Sequence, residues 1–198
     1  ARMAVSAYFG KPAEYIAFKT RVLYTVYNDG CINVTVNYMP QLDLDSIPRM
    51  GMQWPLAKGM EQVEWYGRGP QESYVDKKES ARIGLYRQTV DNMLENYIVP
   101  QENGNHTETR WFTVSGEKAG IAFVSEQLFD FSVHHYTAQD ITNATHTCEL
   151  KRREEAIVHI DVAQNGLGNG SCGPDLLEQY KLKPVDMTQS FMMIPFMK

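Results

Sequence analysis

Short segments in which apolar and polar residues alternate recur along the whole chain, and this pattern limits the possible folds most strongly. In residues 32–38 the alternation is strict, which indicates a strand with one face in the core and the other in solvent. No segment shows the long period of an amphipathic helix. The predicted strands lie about 8 to 12 residues apart, which is typical of an antiparallel sandwich or barrel and not of βαβ units. We expect strands at residues 17–27, 32–38, 50–54, 60–66, 82–90, 106–114, 121–125, 129–136, 156–163 and 190–196.

The length of 198 residues fits one domain with one substantial core. No linker, internal repeat or low-complexity tract divides the chain, so we predict a single domain over residues 1–198. Residues 1–47 are predicted to supply leading strands and a hairpin that turns at residues 28–30, where the sequence is Asn-Asp-Gly. Residues 48–198 are predicted to form the body of the sandwich. A capping box that begins at Thr137 predicts one short helix.

Composition argues against two classes of partner. The net charge of −5 at pH 7 does not suit a nucleic acid, whose phosphate backbone requires clustered Lys and Arg. No apolar run approaches the roughly 20 residues that span a bilayer, so no membrane partner is predicted. Cys31, Cys148 and Cys172 lack the spacing of a zinc site or a disulfide framework and are predicted to be free thiols. Because the first residue is not Met, we expect the chain to be excised from a longer polypeptide.

Residues 61–77 join a predicted strand to a corner and then to a charged loop. Gly67 and Gly69 allow backbone angles that other residues avoid, and Pro70 ends the pairing of the strand. The polar loop that follows carries two carboxylates and two lysines. Such a sequence is typical of a structural corner in a β-domain, and it is also where organised charged groups can be held.

Glu72 in this loop and Glu102 in a polar turn are the best candidates for organised carboxylates, with Arg68 and Arg110 as their predicted ion-pair partners. No spacing singles out a pair of carboxylates for acid–base catalysis. We therefore expect ion pairs that hold loops in place, and no catalytic residue is predicted in this chain.

Residues 165–174 are rich in glycine and are predicted to form either a flexible connection or a ligand-binding loop. The segment lacks the Gly-Lys-Ser/Thr sequence of a phosphate-binding loop. Cys172 has no neighbouring base or cation in the sequence, so it is not predicted to be a nucleophile. The five histidines show no metal-site spacing, and the adjacent His134 and His135 would point to opposite faces of a strand, so no metal site is predicted.

Several motifs occur together in the order of one known family. Residues 65–77 read WYGRGPQESYVDK, which closely resembles the W-x-G-x-G-P-x-E-x-Y-x-D-R signature of the C-terminal domain of family 2 glycoside hydrolase β-galactosidases. Residues 100–104, PQENG, and residues 109–111, TRW, resemble the next segment of that domain, which is also known as the small chain or domain 5. His135-Tyr136-Thr137, Glu149-Leu150, Ile160-Asp161 and the loop of residues 168–174 follow in the family order. The resemblance covers about residues 48–196.

The resemblance implies an all-β fold, an antiparallel β-supersandwich of the galactose-mutarotase-like kind. It also implies that the catalytic machinery is elsewhere, because retaining enzymes of this family carry two glutamates about 5 Å apart on a TIM barrel. The implied partners are the remaining domains of a β-galactosidase, including that barrel, and a galactoside substrate, and full-length members form oligomers. No cofactor is implied in this chain, whereas full-length members use Mg and Na at the barrel.

The resemblance further assigns roles to residues of this chain. Loop architecture near the active site is assigned to Arg68, Glu72, Glu102, Asn103, Gly104 and Arg110. A substrate-proximal loop is assigned to Asn169, Gly170, Ser171 and Cys172. Family members can place a tryptophan where this chain has Cys172, and a thiol cannot provide the stacking surface of an aromatic ring.

The function implied is therefore that of a non-catalytic domain, which completes the active-site rim of a β-galactosidase and stabilises the enzyme that hydrolyses terminal β-D-galactose residues. Two alternatives stay open on the sequence. One is a free-standing carbohydrate-binding module. The other is an aldose mutarotase, in which His134 or His135 would work with Glu102 as acid and base.

Overall fold

The computed structural model describes residues 1–11, 13–168 and 173–198. The described residues form ten strands with only antiparallel pairing between them, which confirms the predicted all-β class. The strands are β1 (Arg2–Lys11), β2 (Tyr15–Val26), β3 (Ile32–Pro40), β4 (Arg49–Leu56), β5 (Gln62–Gly69), β6 (Arg82–Thr89), β7 (His106–Ser115), β8 (Ala119–His134), β9 (Ala156–Gln164) and β10 (Met187–Met197). The helices are α1 (Ala138–Asn143) and single 3-10 turns at Val90–Met93, Thr147–Glu149 and Glu178–Tyr180. Within the described ranges, no helix has both the length and the apolar composition that crossing a membrane requires.

Strand β8 belongs to both layers of a sandwich. Its first half pairs with β10 and β7, which gives the first layer the order β1-β2-β3-β10-β8-β7-β5-β6, and the pairing with β7 continues to Phe129 and Phe131. Its second half pairs with β9, and β9 pairs in turn with β4, so these three strands form the second layer. Although β2 and β4 do not pair, the rings of Tyr24 on β2 and Trp54 on β4 meet edge-on with centroids 6.2 Å apart. The second layer therefore faces the first, as a sandwich requires.

Stacked phenylalanine rings mark the core between the two layers. The ring of Phe112 on β7 stacks on Phe123 and Phe131 of β8, with centroids 4.6 Å and 4.3 Å apart. Trp65 on β5 reaches the same cluster, 6.0 Å from Phe131, and its indole N–H donates to the carbonyl oxygen of Arg68 at 2.9 Å. All four rings are fully buried. The strand that leads into the charged loop is thus anchored in the core.

Most predicted strands are present, and the predicted hairpin is formed by the pairing of β2 with β3. Two predictions of strand boundaries are wrong. Residues 121–125 and 129–136 were expected as two strands, but residues 121–134 belong to the single strand β8, because the exposed residues 126–128 keep an extended backbone; β8 ends at His134. The corner begins later than predicted, since β5 continues through Gly67 to Gly69. A Cβ atom at Gly67 would lie 2.6 Å from Oγ1 of Thr109, so this glycine allows β7 to approach closely.

Helix α1 was predicted from the sequence, whereas strand β1 was not. The short helix predicted at Thr137 is confirmed: its hydroxyl accepts the N–H of Asp140 at 3.1 Å, and the Asp140 carboxylate accepts the N–H of Thr137 at 2.8 Å. Strand β1 was not predicted, because nearly all of its residues are exposed on both faces.

Candidate binding cleft

An open cleft of about 650 Å³ lies where three segments meet: the loop after β5, the segment before β7 and the segment after β9. Its walls combine carboxylates and a lysine with tyrosine rings and leucine side chains. The lining residues are Asp76, Lys77, Tyr97, Gln101, Glu102, Leu167, Gly168, Pro174, Asp175, Leu176, Leu177 and Tyr180. Ligand sites typically combine such apolar and aromatic surface with a few placed polar groups.

The carboxylate of Glu72 is buried beneath this cleft and satisfied by three donors. Its Oε2 atom accepts the backbone N–H of Gly104 at 2.8 Å, and its Oε1 atom lies 2.5 Å from both the ammonium of Lys77 and the hydroxyl of Tyr97. Burial lowers the pKa of Lys77, but the hydrogen bond and charge of Glu72 outweigh it and the pKa is raised. Burial and the same carboxylate also raise the pKa of Tyr97. Glu72 therefore favours the protonated forms of Lys77 and Tyr97, which both line the cleft.

A second carboxylate of the cleft, Glu102, is held by a partly buried arginine. Nη1 of Arg49 lies 3.3 Å from Oε2 of Glu102, and the hydroxyl of Tyr74 lies 3.4 Å from Oε1. The Arg49 guanidinium also pairs closely with Asp161, which is fully buried on β9. Burial raises the pKa of Asp161, while the charge of Arg49 opposes that rise. One guanidinium thus links β4, β9 and the loop that carries Glu102.

The glycine-rich segment is held from its first residues by Asp76. The Asp76 carboxylate accepts the backbone N–H groups of Leu167 at 3.1 Å and Gly168 at 2.7 Å. Gly168 has a φ of +65°, a conformation that glycine adopts without strain. The charged loop after β5 therefore sets the direction in which the glycine-rich loop leaves β9.

The residues assigned to a substrate-proximal loop, Asn169, Gly170, Ser171 and Cys172, lie outside the described residues. Their role stays a prediction. Gly168 and Pro174 on either side of them line the cleft.

Of the six residues assigned to loop architecture, four come together around the cleft: Glu72, Glu102, Asn103 and Gly104. Asn103 is buried, and its side chain accepts the N–H of Glu95 at 3.0 Å and donates to the carbonyl oxygen of Gln101 at 2.8 Å. These bonds shape the turn that presents Glu102.

The predicted partners of the two carboxylates are wrong, because Glu72 pairs with Lys77 and Glu102 pairs with Arg49. Arg68 instead lies 3.1 Å from the carboxylate of Glu108 and donates to the carbonyl oxygens of Lys78 and Ala81. These contacts hold the end of the charged loop against β5.

Arg110 lies away from the cleft, with its guanidinium 5.3 Å from the ring centroid of Tyr66. Tyr66 on β5 is 40% exposed, so this cation–π contact lies on the outer surface of the sheet. Arg110 thus braces β7 against β5.

The histidine proposed for a mutarotase does not face the cleft. His134 is buried, and its Nε2–H donates to the carbonyl oxygen of Asn103 at 3.0 Å. Burial lowers the pKa of His134, so the ring is neutral. Because its Nδ1 atom is also enclosed, this imidazole has no access to a sugar in the cleft.

His135 was predicted to lie on the same strand as His134, but β8 ends at His134, and His135 beyond it belongs to a separate cluster. Its Nε2 atom and carboxylate oxygens of Glu61 and Asp91 lie within 4.8 Å of one another. Arg152 occupies this cluster, with Nη2 2.9 Å from both His135 and Glu61. The positive charge that the two carboxylates require is therefore supplied by a guanidinium.

Together, the fold and the cleft define an antiparallel β-sandwich module with an ion-paired cleft beside a glycine-rich loop. Residues 2–193 match the family model described as the β-galactosidase small chain, and the chain belongs to this family.

The chain is similar to parts of much longer proteins. It is 38% identical over 162 residues to a β-galactosidase of Actinobacillus pleuropneumoniae, which covers 81% of this chain and 16% of that protein. It is 38% identical over 181 residues to a β-galactosidase of Kluyveromyces lactis, and this match covers 89% of this chain and 17% of that protein. A β-galactosidase of Staphylococcus xylosus is 35% identical over 170 residues, and this match covers 86% of this chain and 17% of that protein. The chain thus spans about one sixth of the length of these relatives.

Proposed function

We propose that this chain is the part of a β-galactosidase that completes and braces the rim of the sugar-binding site, while the catalytic glutamates lie in the remaining polypeptide. The similarity to three β-galactosidases over more than four fifths of this chain, but only 16–17% of theirs, is the observation that carries the proposal. The substrate class is then a terminal β-D-galactoside.

The chemistry of the cleft supports a bracing role. Retaining glycosidases need one carboxyl group free to donate a proton and a second free to attack, about 5 Å apart. Glu72 beside the cleft is bonded to three donors, and Glu102 in the cleft is held by Arg49 and Tyr74. Carboxylates held by such partners position loops.

We also propose that any Mg²⁺ or Na⁺ bound by the whole enzyme is held by residues of the remaining polypeptide. Arg152 supports this proposal, since its guanidinium stands among the carboxylates of Glu61 and Asp91 and the imidazole of His135. A second cation there would be repelled by the guanidinium.

A chimaera tests the proposed function. The 181 matched residues of the Kluyveromyces lactis β-galactosidase would be replaced by this chain, and hydrolysis of a chromogenic β-galactoside would be measured. We expect hydrolysis by the chimaera, and none by the same enzyme lacking the segment or by this chain alone. Turnover by this chain alone would contradict the assignment of the catalytic glutamates to the remaining polypeptide.

The same preparations separate the alternative functions. A carbohydrate-binding module would show calorimetric binding of galactose by this chain alone at about millimolar affinity or better. A mutarotase would accelerate the mutarotation of α-galactose in a polarimeter. Neither result is expected, because the cleft is proposed to become a complete sugar site only beside the remaining polypeptide.

A further inference from the structure

The second layer of the sandwich covers the first layer only in part. The second half of β8 pairs with the start of β7 and carries the ring of Phe131 against Phe112 of β7 and Trp65 of β5. Strand β4 covers β2, where Trp54 meets Tyr24. Within the described residues, β4 pairs only with β9 and is the last strand of its layer, whereas the first layer continues beyond β2 to β1. Strand β1 therefore has no facing strand.

The face of β1 that continues the core side of the sheet is apolar. In the pairing of β1 with β2, Met3 lies opposite Tyr24, Val5 opposite Val22 and Phe9 opposite Phe18. Val22 is buried, and Phe18 and Tyr24 are packed against the core. By contrast, Met3 is 57%, Val5 40% and Phe9 57% exposed. The inward face of β1, defined by Met3, Val5 and Phe9, is thus an extension of the core surface that lacks its cover.

The outer face of the same hairpin is built differently. Arg2, Ser6 and Tyr8 alternate with the inward residues on β1, and Lys19 and Arg21 lie opposite Tyr8 and Ser6 on β2. Apart from Ala4 and Leu23, which lie opposite each other, this face is polar and carries the charges of Arg2, Lys19 and Arg21, as suits a surface in water. A sheet with one charged and one apolar face normally has the apolar face packed against other protein.

An unpartnered donor lies at the border of the uncovered face. The Nε1 atom of Trp54 on β4, beside Tyr24, is buried and has no acceptor within the described residues. A buried N–H without an acceptor has lost its hydrogen bonds to water without replacement, which destabilises the fold. A segment packed beside β4 and over β1 would be placed to supply a carbonyl oxygen to this N–H.

We propose that an apolar segment of the remaining polypeptide packs on the inward face of β1 and completes the second layer of the sandwich. This inference rests on the proposed function, because that polypeptide must exist to supply the segment. The similar β-galactosidases carry more than four fifths of their length outside the matched part, so ample chain is present for this contact. The segment presents aliphatic or aromatic side chains to Met3, Val5 and Phe9.

Thiol labelling in the full-length polypeptide tests the proposal. Phe9→Cys reports on the inward face and Tyr8→Cys, the matched control, on the outer face; these two residues are 57% and 63% exposed in this chain. We expect maleimide to label Phe9→Cys at least about tenfold more slowly, since reaction then requires local opening of the cover. Peptide mass spectrometry distinguishes these thiols from the native cysteines. The pair Met3→Cys and Ala4→Cys repeats the comparison.

Each outcome decides a separate question. Slow labelling of the inward cysteines that does not change on dilution supports the proposal. Equal labelling rates on the two faces overturn it, and so does protection that disappears when an oligomer dissociates, because a second copy would then be the cover. Hydrolysis of a β-galactoside by the unmodified polypeptide is measured in parallel. Protection without hydrolysis would support the cover and contradict the proposed function, whereas hydrolysis with equal labelling would contradict only the cover.

Discussion

The Oε2 atom of Glu72 accepts the backbone N–H of Gly104 over 2.8 Å, and this hydrogen bond joins two loops that lie 32 residues apart in the sequence. The other oxygen of Glu72 holds Lys77 and Tyr97, which both line the cleft. The loop after β5 and the turn before β7 therefore form one unit, and the shape of the cleft depends on it.

Replacement of Gly104 is expected to break this unit. Gly104 has a φ of +70°, and a Cβ atom there would lie 2.3 Å from the carbonyl oxygen of Met93 and 2.4 Å from Cε1 of His134. We predict that Gly104→Ala lowers the free energy of unfolding by roughly 2–4 kcal/mol, from backbone strain and steric overlap together. Gly59→Ala is the matched control, since Gly59 has a φ of +85° but no atom near its Cβ position. Gly59→Ala should lower the free energy of unfolding by about 1–2 kcal/mol. Urea unfolding followed by tryptophan fluorescence measures both, and equal losses would contradict the steric argument.

Arg49 is expected to be the most important charged residue for stability. Arg49→Met would leave the carboxylate of Asp161 buried without its partner, and we predict a loss of about 3–5 kcal/mol in the free energy of unfolding. The double variant with Asp161→Asn should lose less than Arg49→Met alone, because the unpaired charge is gone. Lys181→Met serves as a surface control: Asp45, one of its partners, is 71% exposed, so the expected loss is about 0–1 kcal/mol. A loss in Arg49→Met no larger than in this control would show that the Asp161 carboxylate is not buried.

Asp130 is predicted to make stability fall as pH rises. Burial, together with the charge of Asp161 opposite it in the pairing of β8 with β9, raises the pKa of Asp130 from 3.8 to about 7. Between these values the folded chain holds a proton that the unfolded chain has released. Asp130 therefore contributes stability that is fully present below about pH 4 and is lost as the pH rises through about 7.

The variant Asp130→Asn removes this titration. Its stability relative to the unmodified chain should improve between about pH 4 and pH 8 by on the order of 2–4 kcal/mol, as the pKa shift of Asp130 requires. Denaturant unfolding at several pH values measures the difference. Parallel pH profiles for the two proteins would show that Asp130 titrates normally.

Asp76 is expected to affect sugar hydrolysis more than stability. It accepts the N–H groups of Leu167 and Gly168, at the start of the loop proposed to lie near the substrate. We predict that Asp76→Ala in the chimaera proposed above raises KM by roughly 3- to 10-fold, because the loop loses two charge-assisted hydrogen bonds. The neighbouring exposed Glu79 provides a control, Glu79→Ala, that should leave KM unchanged. Unaltered kinetics in Asp76→Ala would remove the glycine-rich loop from the proposed rim.

Strand positions in the core could be predicted from the sequence because burial imposes a visible alternation, as in β3. Strand β1 lacks that signal: Tyr8 is exposed on one face and Phe9 on the other, so side-chain polarity does not distinguish the faces. Which residues of β1 lie on the core side can be recognised only when the position of the second layer is known.

The sequence predicted which residues lie at the cleft better than it predicted the contacts between them. The family motifs singled out Glu72 and Glu102, but Arg49 and Asp161 lie 112 residues apart and only the pairing of β4 with β9 brings them together. Arg68 was predicted as an ion-pair partner of these carboxylates, yet its guanidinium pairs with Glu108. Ion pairs between distant strands depend on sheet register, which no local pattern reveals.

Because β8 (Ala119–His134) contributes hydrogen bonds to both layers, neither layer is complete without it. A break of the chain within residues 119–134 would therefore divide a strand that both layers share, and it would disturb the hydrogen bonds of both sheets at once. The two layers are thus not separable into independently folding pieces.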